Sequence, residues 1–269
     1  MDVSSLDQAF TLTCDDELPD RELARASSPE RTDRASPFFS VPASTESLLD
    51  QAYRLRYQVY CLERGFEDAH ANPDGRERDE FDDHSVHRLL VHAETGLIVG
   101  GVRLVLPRRD RLESCFPIQD VCQVGPLQPA LADELGQTAE ISRFCVSKAF
   151  RRLLPKGRSR GLGQASRLDV EPAAFLPLMT LELMNAVIQM SEENGITQLC
   201  AAMEPSLLRL LSRLGLAFTP LGELVTFHGI RQPCYANIDE LWVSLKEQNE
   251  DVWRWLSNQG GQSPLNLVQ

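Results

Sequence analysis

Apolar residues recur at helical intervals in the stretch that follows residue 42. Five of them are separated by 4, 3, 4 and 3 positions, which is the spacing of one face of an α-helix. They are Leu48, Ala52, Leu55, Val59 and Leu62. Ser44 or Thr45 stands where a helix N-cap belongs, and Gly65 stands where the helix would end. The pattern therefore predicts a first helix with one buried face.

The middle of the chain carries the apolar runs that are typical of β-strands. They predict a hairpin of strands 86–94 and 97–106, joined by a turn at residues 95–96, and a further strand over 138–147. A long helix is predicted between Pro172 and Gly195, because apolar residues again recur every three or four positions. The predicted elements that follow are a strand over 196–203, a helix from Pro205, strands near 224–227 and 235–238, and a helix from Asp239. This order predicts an α/β fold of three layers, α/β/α, with a mixed central sheet.

The predicted domain covers residues 43–258. Residues 1–42 are rich in Ser, Pro, Asp, Glu and Arg and poor in large apolar residues, so they predict a disordered arm. We expect residues 259–269 to form a flexible tail and residues 148–171 to form a basic variable loop within the domain.

The charge of the chain is uneven. The 269 residues have a formal net charge of -12, which argues against nucleic-acid binding because that function needs a basic surface. Residues 148–168 nevertheless contain seven basic residues and no acidic one. They are Lys148, Arg151, Arg152, Lys156, Arg158, Arg160 and Arg167. This segment suits an anionic partner, or it is a solvated loop without one.

Two further features indicate a cytoplasmic location. The chain has no run of about 18 uncharged apolar residues, and its first twenty residues contain six acidic and no basic ones, so neither a membrane-spanning helix nor a secretory signal is predicted. The seven cysteines are scattered without a CxxC pair, which favours free thiols in a reducing compartment.

A series of polar and aromatic residues, in this order along the chain, resembles that of the acyl-homoserine-lactone synthases of the GNAT superfamily. These residues are Arg56, Tyr60, Phe66, Asp79, Asp82, Arg103, Phe116, Glu140, Ser142 and Arg143. The segments 53–61, 79–82, 142–144 and 229–233 are still more similar to the acyltransferases associated with PEP-CTERM/exosortase gene sets and to the related N-acyl amino acid synthases. Phe66 stands where the homoserine-lactone synthases typically have Trp.

The resemblance implies a GNAT fold and the transfer of a fatty acyl group from a carrier thioester to an amine. The donor would be acyl carrier protein or acyl-CoA, with no permanently bound cofactor and no metal. The resemblance implies catalytic roles for Glu140, Ser142 and Arg143. It implies substrate binding by Arg56, Tyr60, Phe66, Asp79, Asp82, Arg103 and Phe116. Because the carrier is acidic, the basic segment is expected to dock it through Lys148, Arg151, Arg152 and Arg158.

Glu140 is the leading candidate for the general base. Its strand neighbours Ile141, Phe144 and Val146 are apolar, so desolvation would raise the pKa of its carboxyl group toward a useful range. The alternative is that Glu140 is a structural partner of Arg143 or Arg103. Glu140 and Arg143 would face opposite sides of a regular strand, so a shared site requires a β-bulge between or beside them.

Other candidate groups have structural alternatives. Asp79 and Asp82 would hold an ammonium group or brace Arg56 and Arg103. An acyl pocket would be lined by a stripe on the long helix, unless this stripe is ordinary core. The stripe consists of Met179, Leu183, Val187 and Met190. No pattern supports a metal site at the histidines or a covalent role for Cys145.

Three alternative functions stay open at this point. The first is a homoserine-lactone synthase that uses S-adenosylmethionine. The second is a short-chain N-acetyltransferase that uses coenzyme A, for which Arg158-Ser159-Arg160-Gly161-Leu162-Gly163 would form the pyrophosphate loop. The third is a non-catalytic protein that binds an acyl carrier or a lipid.

Overall fold

The central sheet of the computed structural model combines strands from both halves of the chain. The structure describes residues 36–108, 110, 114–121, 135–148 and 175–257. Its strands within these residues are β1 (Phe38–Pro42), β2 (Ser85–His92), β3 (Ile98–Val105), β4 (Thr138–Val146), β5 (Gln198–Met203), β6 (Thr219–Pro220), β7 (Val225–Thr226) and β8 (Ile230–Asn237). They lie in the order β1-β2-β3-β4-β5-β8-β6, with β7 paired to β8. β4 and β5 are parallel and the other neighbouring pairs are antiparallel, so the sheet is mixed.

The helices surround this sheet. They are α1 (Glu46–Arg56), α2 (Pro117–Val121), α3 (Phe175–Asn194), α4 (Pro205–Arg213), α5 (Ile238–Gln248) and α6 (Glu250–Leu256). The Thr45 hydroxyl accepts a hydrogen bond from the Leu48 N–H at 3.2 Å, which is the predicted N-cap of α1. α1 continues as a π-helical segment, Tyr57–Glu63. No helix that the structure describes has the length and apolar character needed to cross a bilayer.

Two apolar cores separate the three layers. On one face of the sheet, Leu48, Ala52 and Leu55 of α1 pack in a cluster with Leu89 and Val91 of β2. On the other face, α3 contacts β1, β2, β3 and β4 and forms the centre of the main core. The expected three-layer α/β/α arrangement with a mixed sheet is confirmed.

The boundary of the predicted arm was wrong. Phe38–Pro42, which the composition assigned to the arm, is an edge strand that pairs antiparallel with β2. Phe38 and Val41 are buried, but the sequence of this segment, FFSVP, lacks the strict apolar–polar alternation that would indicate a strand. Residues 1–35 of the arm, the tail and most of the basic loop lie outside the described residues.

A cleft opens where β4 and β5 stop pairing. The two strands are in register over only three pairs, from Thr138↔Gln198 to Glu140↔Cys200. Both strands continue beyond this point, β4 as far as Val146 and β5 as far as Met203. Residues of both continuations line one pocket, which follows from the separation of the strands after Glu140.

The close approach of β3 and β4 requires glycine at position 100. A Cβ atom at Gly100 would lie 2.7 Å from the Cys145 backbone oxygen, which cannot move without disturbing the ladder. We expect Gly100→Ala to lower the free energy of unfolding by about 1–3 kcal/mol, as measured by urea denaturation. At Gly136 a Cβ atom would meet nothing within 4 Å, so Gly136→Ala is the matched control. Equal stabilities of the two variants would contradict this account.

Candidate active site

A β-bulge in β4 brings three polar side chains to one face of the sheet. Gly101 pairs with Cys145 and Arg103 pairs with Ser142, so β4 contains one more residue than β3 between these two pairs. Arg143 has a φ of 50°, which is unusual for a residue with a side chain. The bulge expected between or beside Glu140 and Arg143 is therefore confirmed.

Packing on the α3 face of the sheet shows how the bulge changes the direction of the side chains in β4. Ala139 and Ile141, and after the bulge Phe144 and Val146, pack on the core at α3. The regular alternation thus skips one residue. As a result, three polar side chains of β4 lie together on the α1 side of the sheet. They are Glu140, Ser142 and Arg143.

A buried network of three guanidinium groups and three carboxylates adjoins this face. Its members are Arg56, Glu77, Asp79, Asp82, Arg103 and Arg143. Arg56 donates to Glu77 at 2.5 Å and to Asp82 at 2.6 Å. Arg103 donates to Asp79 at 2.5 Å and to Asp82 at 2.9 Å. Arg143 completes the network with bonds to Glu77 at 2.8 Å and Asp79 at 3.0 Å. Each guanidinium therefore contacts at least two carboxylates.

The acidic turn before β2 orients two of these carboxylates. Asp79 caps the 3₁₀ helix Glu80–His84, accepting from the Phe81 N–H at 3.0 Å. The Asp82 carboxylate accepts from the Asp79 N–H at 2.8 Å, which completes a capping box. The predicted bracing of Arg56 and Arg103 by Asp79 and Asp82 is thereby observed.

The network keeps the carboxylates of Glu77 and Asp82 ionised. Burial acts to raise the pKa of Glu77, but the hydrogen bonds and charges of Arg143 and Arg56 outweigh it and hold that pKa at about 2. Asp82 follows the same pattern, with burial opposed by Arg56 and Arg103, so its pKa lies well below the usual range. The pKa of Arg56 is raised: burial lowers it, but Glu77 and Asp82 more than compensate. These groups are therefore fixed charges near neutral pH.

Glu140 has the opposite environment. It is buried, and its carboxylate accepts one backbone hydrogen bond, from the Ile118 N–H at 2.7 Å. Burial raises the pKa of Glu140 to about 8, although this hydrogen bond and the charges of Arg103 and Arg143 lower it. The expected upward shift is confirmed, and the structure shows no ion pair between Glu140 and either arginine among the described residues.

The cleft beside Glu140 has a volume of about 340 Å³, within the range of small-molecule sites. One part of its wall is apolar and comes from α3, β5 and α4. This part consists of Leu176, Met179, Met203, Leu207 and Leu210. The other part is polar and aromatic, and includes Tyr60, Arg64, Phe66, Glu67, Ser142, Arg143, His228 and Arg231. The cleft can therefore hold an apolar chain and a polar group together.

Several predicted residues lie on this wall. The Tyr60 ring lies under the Arg143 guanidinium, with 5.3 Å between the Arg143 Cζ atom and the ring centroid. Phe66 follows, with its ring centroid 6.3 Å from that of Tyr60. The backbone N–H of Lys148 donates to Glu63 at 2.8 Å, which holds this exposed lysine at the rim. Arg151, Arg152 and Arg158 lie outside the described residues.

Other predicted residues lie behind the wall. Arg56, Asp79, Asp82 and Arg103 are absent from the lining of the cleft. Arg103 is fully buried and also donates to the Ser142 hydroxyl at 3.1 Å. The expectation of direct substrate contact is therefore wrong for Arg56, Asp82 and Arg103. Their charged groups pair with one another and are enclosed by the sheet.

Phe116 and most of the α3 stripe also require correction. Phe116 is fully buried in an apolar cluster with Cys115, Ile118 and Cys200, so it supports the cleft floor and does not line the cleft. Within the stripe, only Met179 lines it. Leu183, Val187 and Met190 belong to the main core, which is the structural alternative for this stripe.

Some residues of the network and of the cleft wall were not predicted from the sequence. Glu77 was not among the predicted site residues, yet it is 3% exposed and bonds two arginines. Glu67 and His228 contact each other at 3.4 Å on the cleft wall. Arg231 belongs to the segment 229–233. The similarity of this segment to the PEP-CTERM/exosortase-associated acyltransferases was the one signal in the sequence that pointed to Arg231.

The remaining histidine and cysteine candidates have structural explanations. Among the described residues, no group of three His, Cys, Asp or Glu side chains is arranged to hold a metal ion. Burial, and then the charge of Arg56, lowers the pKa of His87 to about 4. Burial raises the pKa of the Cys145 thiol to about 12, which disfavours the thiolate that nucleophilic catalysis needs.

Comparisons with known proteins agree with this geometry. A family model described as an acetyltransferase (GNAT) domain matches residues 55–154. An acyl-homoserine-lactone synthase of Rhizobium radiobacter is 31% identical over 180 residues, 66% of this chain and 73% of that protein. An isovaleryl-homoserine lactone synthase of Bradyrhizobium diazoefficiens is 30% identical over 177 residues, 66% of each chain. The solved structure of FeeM, an N-acyl amino acid synthase from uncultured soil microbes, has a TM-score of 0.50 and 14% identity, covering 79% of this chain and 97% of that one. The last likeness concerns the fold alone, and the expected GNAT fold is confirmed.

The low pKa of Glu77 predicts a specific loss of stability in acid. The Glu77 contribution is complete above a pH of about 4.5, its unfolded pKa, and is lost as the pH falls toward 2. We expect Glu77→Gln to lower the free energy of unfolding by about 3 kcal/mol at pH 7, and the gap from the wild type to narrow in acid. Urea denaturation of both proteins between pH 7 and 3 measures this difference in the free energy of unfolding.

The exposed Glu247 on α5 supplies the control for this experiment. Glu247→Gln should change stability by less than about 0.5 kcal/mol at any of these pH values. A gap between Glu77→Gln and the wild type that stays constant with pH would show that the Glu77 carboxylate is not held ionised by the arginines.

Proposed function

Since this chain belongs to the acyl-homoserine-lactone synthase family and is an acyltransferase, we propose that it moves a fatty acyl group from a carrier thioester to the amine of a small acceptor, such as an amino acid. The single observation that carries this proposal is Glu140, a buried carboxyl group on the cleft wall with a pKa of about 8. A group that titrates near the working pH is suited to accept the proton that the amine loses.

The proposed reaction is one substitution at the thioester carbonyl. The neutral amine attacks the carbonyl carbon, a C–N bond forms and the C–S bond breaks. The proton of the attacking nitrogen passes to Glu140, directly or through one water molecule, and then to the leaving sulfur. Holding the amine and the thioester together in the cleft supplies much of the rate acceleration.

Backbone groups of β4 would polarise the thioester in this proposal. After Glu140, β4 has no strand partner on its β5 side among the described residues. An unpaired strand edge presents N–H and C=O groups, and here these groups border the cleft. They suit the amides of a pantetheine arm and the oxyanion that forms at the carbonyl.

The role of the buried network in this proposal is to hold the residues of the β4 bulge in position. It ties Arg143 and Ser142 to β3 and α1 through Arg103 and Glu77, so the bulge keeps one conformation. The apolar part of the wall, around Met179 and Leu207, would receive the acyl chain. Burial of that chain against these side chains stabilises the bound donor.

The donor is proposed to be acyl carrier protein, with acyl-CoA as the alternative. Lys148 and Arg64 are exposed residues that line the cleft, where they suit the phosphate of a pantetheine arm. The basic segment that starts at Lys148 would add attraction for an acidic carrier. We also keep a cytoplasmic location as part of this proposal.

The second candidate is homoserine-lactone synthesis with S-adenosylmethionine as the acceptor. Relatives that are 30–31% identical are named as homoserine-lactone synthases. A product assay separates the candidates: the purified chain is incubated with acyl carrier protein or coenzyme A thioesters and with amino acids or S-adenosylmethionine. We expect N-acyl amino acids and faster turnover with the carrier protein. Methylthioadenosine in the reaction would instead assign the second candidate.

Replacing Glu140 tests the catalytic role directly. The amide oxygen of Glu140→Gln can still accept from the Ile118 N–H, so the fold and donor binding should persist. We expect kcat to fall by about 10²–10⁴-fold. In the wild type, kcat/KM should rise with pH through about 8, because the base must be ionised.

Glu193→Gln is the control for this substitution, because Glu193 pairs with Arg88 away from the cleft and should leave turnover unchanged. Retained turnover in Glu140→Gln would remove Glu140 as the base. A wild type that binds the donor but never acylates an amine would support the non-catalytic binding protein.

A further inference from the structure

Arg231 is a cleft-lining cation for which the proposed mechanism has no use. It lies in β8 next to the tight turn that joins β7 and β8. His228 and Gly229 in that turn have φ values of 48° and 97°, and the Phe227 N–H donates to the Gly229 oxygen at 2.8 Å. The turn places His228 and Arg231 on the cleft wall opposite β4.

An aromatic ring fixes the orientation of the Arg231 guanidinium. Its Cζ atom lies 5.2 Å from the Phe66 ring centroid, a distance at which the cation and the ring attract each other. Phe66 in turn contacts His228, with 6.1 Å between the centroids. A stacked guanidinium keeps its planar fork of donors available at the edge, which is the geometry that binds a carboxylate through two hydrogen bonds.

The hydrogen-bonding capacity of Arg231 is largely unused within the described residues. One Nη atom donates to the Ile230 oxygen at 3.2 Å. The carboxylate found nearby is that of Glu204, at 3.6 Å, beyond hydrogen-bond distance. A guanidinium carries five donors, and this side chain is only 12% exposed. Arg143, in contrast, is occupied by Glu77 and Asp79.

The charges around Arg231 favour a zwitterion over a phosphate. The acidic side chains of Glu67 and Glu204 also line this part of the cleft. The phosphodiester of a pantetheine arm would bring to Arg231 a negative charge that Glu204 repels, without any cationic group beside it. A carboxylate with a neighbouring amine brings the same charge together with a group that acidic side chains attract.

We propose that Arg231, stacked on Phe66, binds the carboxylate of an α-amino acid acceptor, so that a free carboxylate beside the amine is the feature by which the enzyme selects its acceptor. This assignment rests on the proposed acyl transfer. It gives the segment 229–233 a role and places the acceptor on the β8 side of the cleft, across from Glu140 on β4.

The test uses acceptor pairs that differ only in the carboxylate, phenylalanine with phenethylamine and leucine with isoamylamine, and the acyl donor that the product assay identifies. In the wild type, kcat/KM should be higher for each amino acid than for the corresponding amine without the carboxylate. In Arg231→Met, KM for the amino acid should rise about 10- to 100-fold, a loss of about 1.4–2.8 kcal/mol, with little change in kcat or in KM for the donor. Turnover of the decarboxylated amine should not change. Arg231→Lys should recover part of the loss, since lysine keeps the charge without the planar fork.

Arg254→Met is the control, because Arg254 is an exposed residue of α6 paired with Glu250. A preference for the amino acid that persists in Arg231→Met would overturn the proposal. So would a rise in KM for the donor in place of the acceptor, which would assign Arg231 to the phosphate of the donor.

Failure of the proposed acyl transfer is recognised separately. If the wild type acylates no amine with any donor, titration calorimetry with phenylalanine and leucine tests whether Arg231 binds a carboxylate. Binding to the wild type that is lost in Arg231→Met would sustain the site, and no binding to the wild type would overturn it.

Discussion

The architecture of the site depends on the mutual neutralisation of three buried guanidinium groups and three carboxylates. Arg56 comes from α1, Arg103 from β3 and Arg143 from β4, while the carboxylates come from the stretch that precedes β2. A buried charge without a partner costs several kcal/mol, so none of these elements can shift alone. The network therefore joins the helix layer to the sheet at the place where the bulge turns Arg143 toward the cleft.

The same site contains carboxyl groups with opposite properties. Glu77 lies between two arginines, and its pKa is held at about 2. Glu140 is equally buried, but it accepts one backbone N–H and has no ion pair among the described residues, so burial raises its pKa to about 8. A permanent anion is useful for holding a frame, and a carboxyl group that titrates near neutrality is useful for moving a proton. The number of cationic neighbours decides which of these roles each carboxyl group has.

Much of the fold could be predicted from local patterns. The spacing of apolar residues in α1, its Thr45 cap and the hairpin of β2 and β3 depend on neighbours a few positions away. The bulge could also be predicted, because Glu140 and Arg143 cannot share a face of a regular strand. β1 was missed, since five residues become a strand only through pairing with β2, about fifty positions along the chain.

Residue types and their order were enough to predict the layered α/β fold, the family, and all but Glu77 of the charged residues that meet in the network. Which of those residues reach the cleft could be seen only once the chain was folded. Arg56, Arg103 and Phe116 are enclosed by other elements, while Glu67, His228 and Arg231 lie on the wall. The physical reason is that exposure to a cleft depends on where β4 and β5 separate and on what the hairpin of β7 and β8 places opposite them. These are contacts between distant segments that no local pattern encodes.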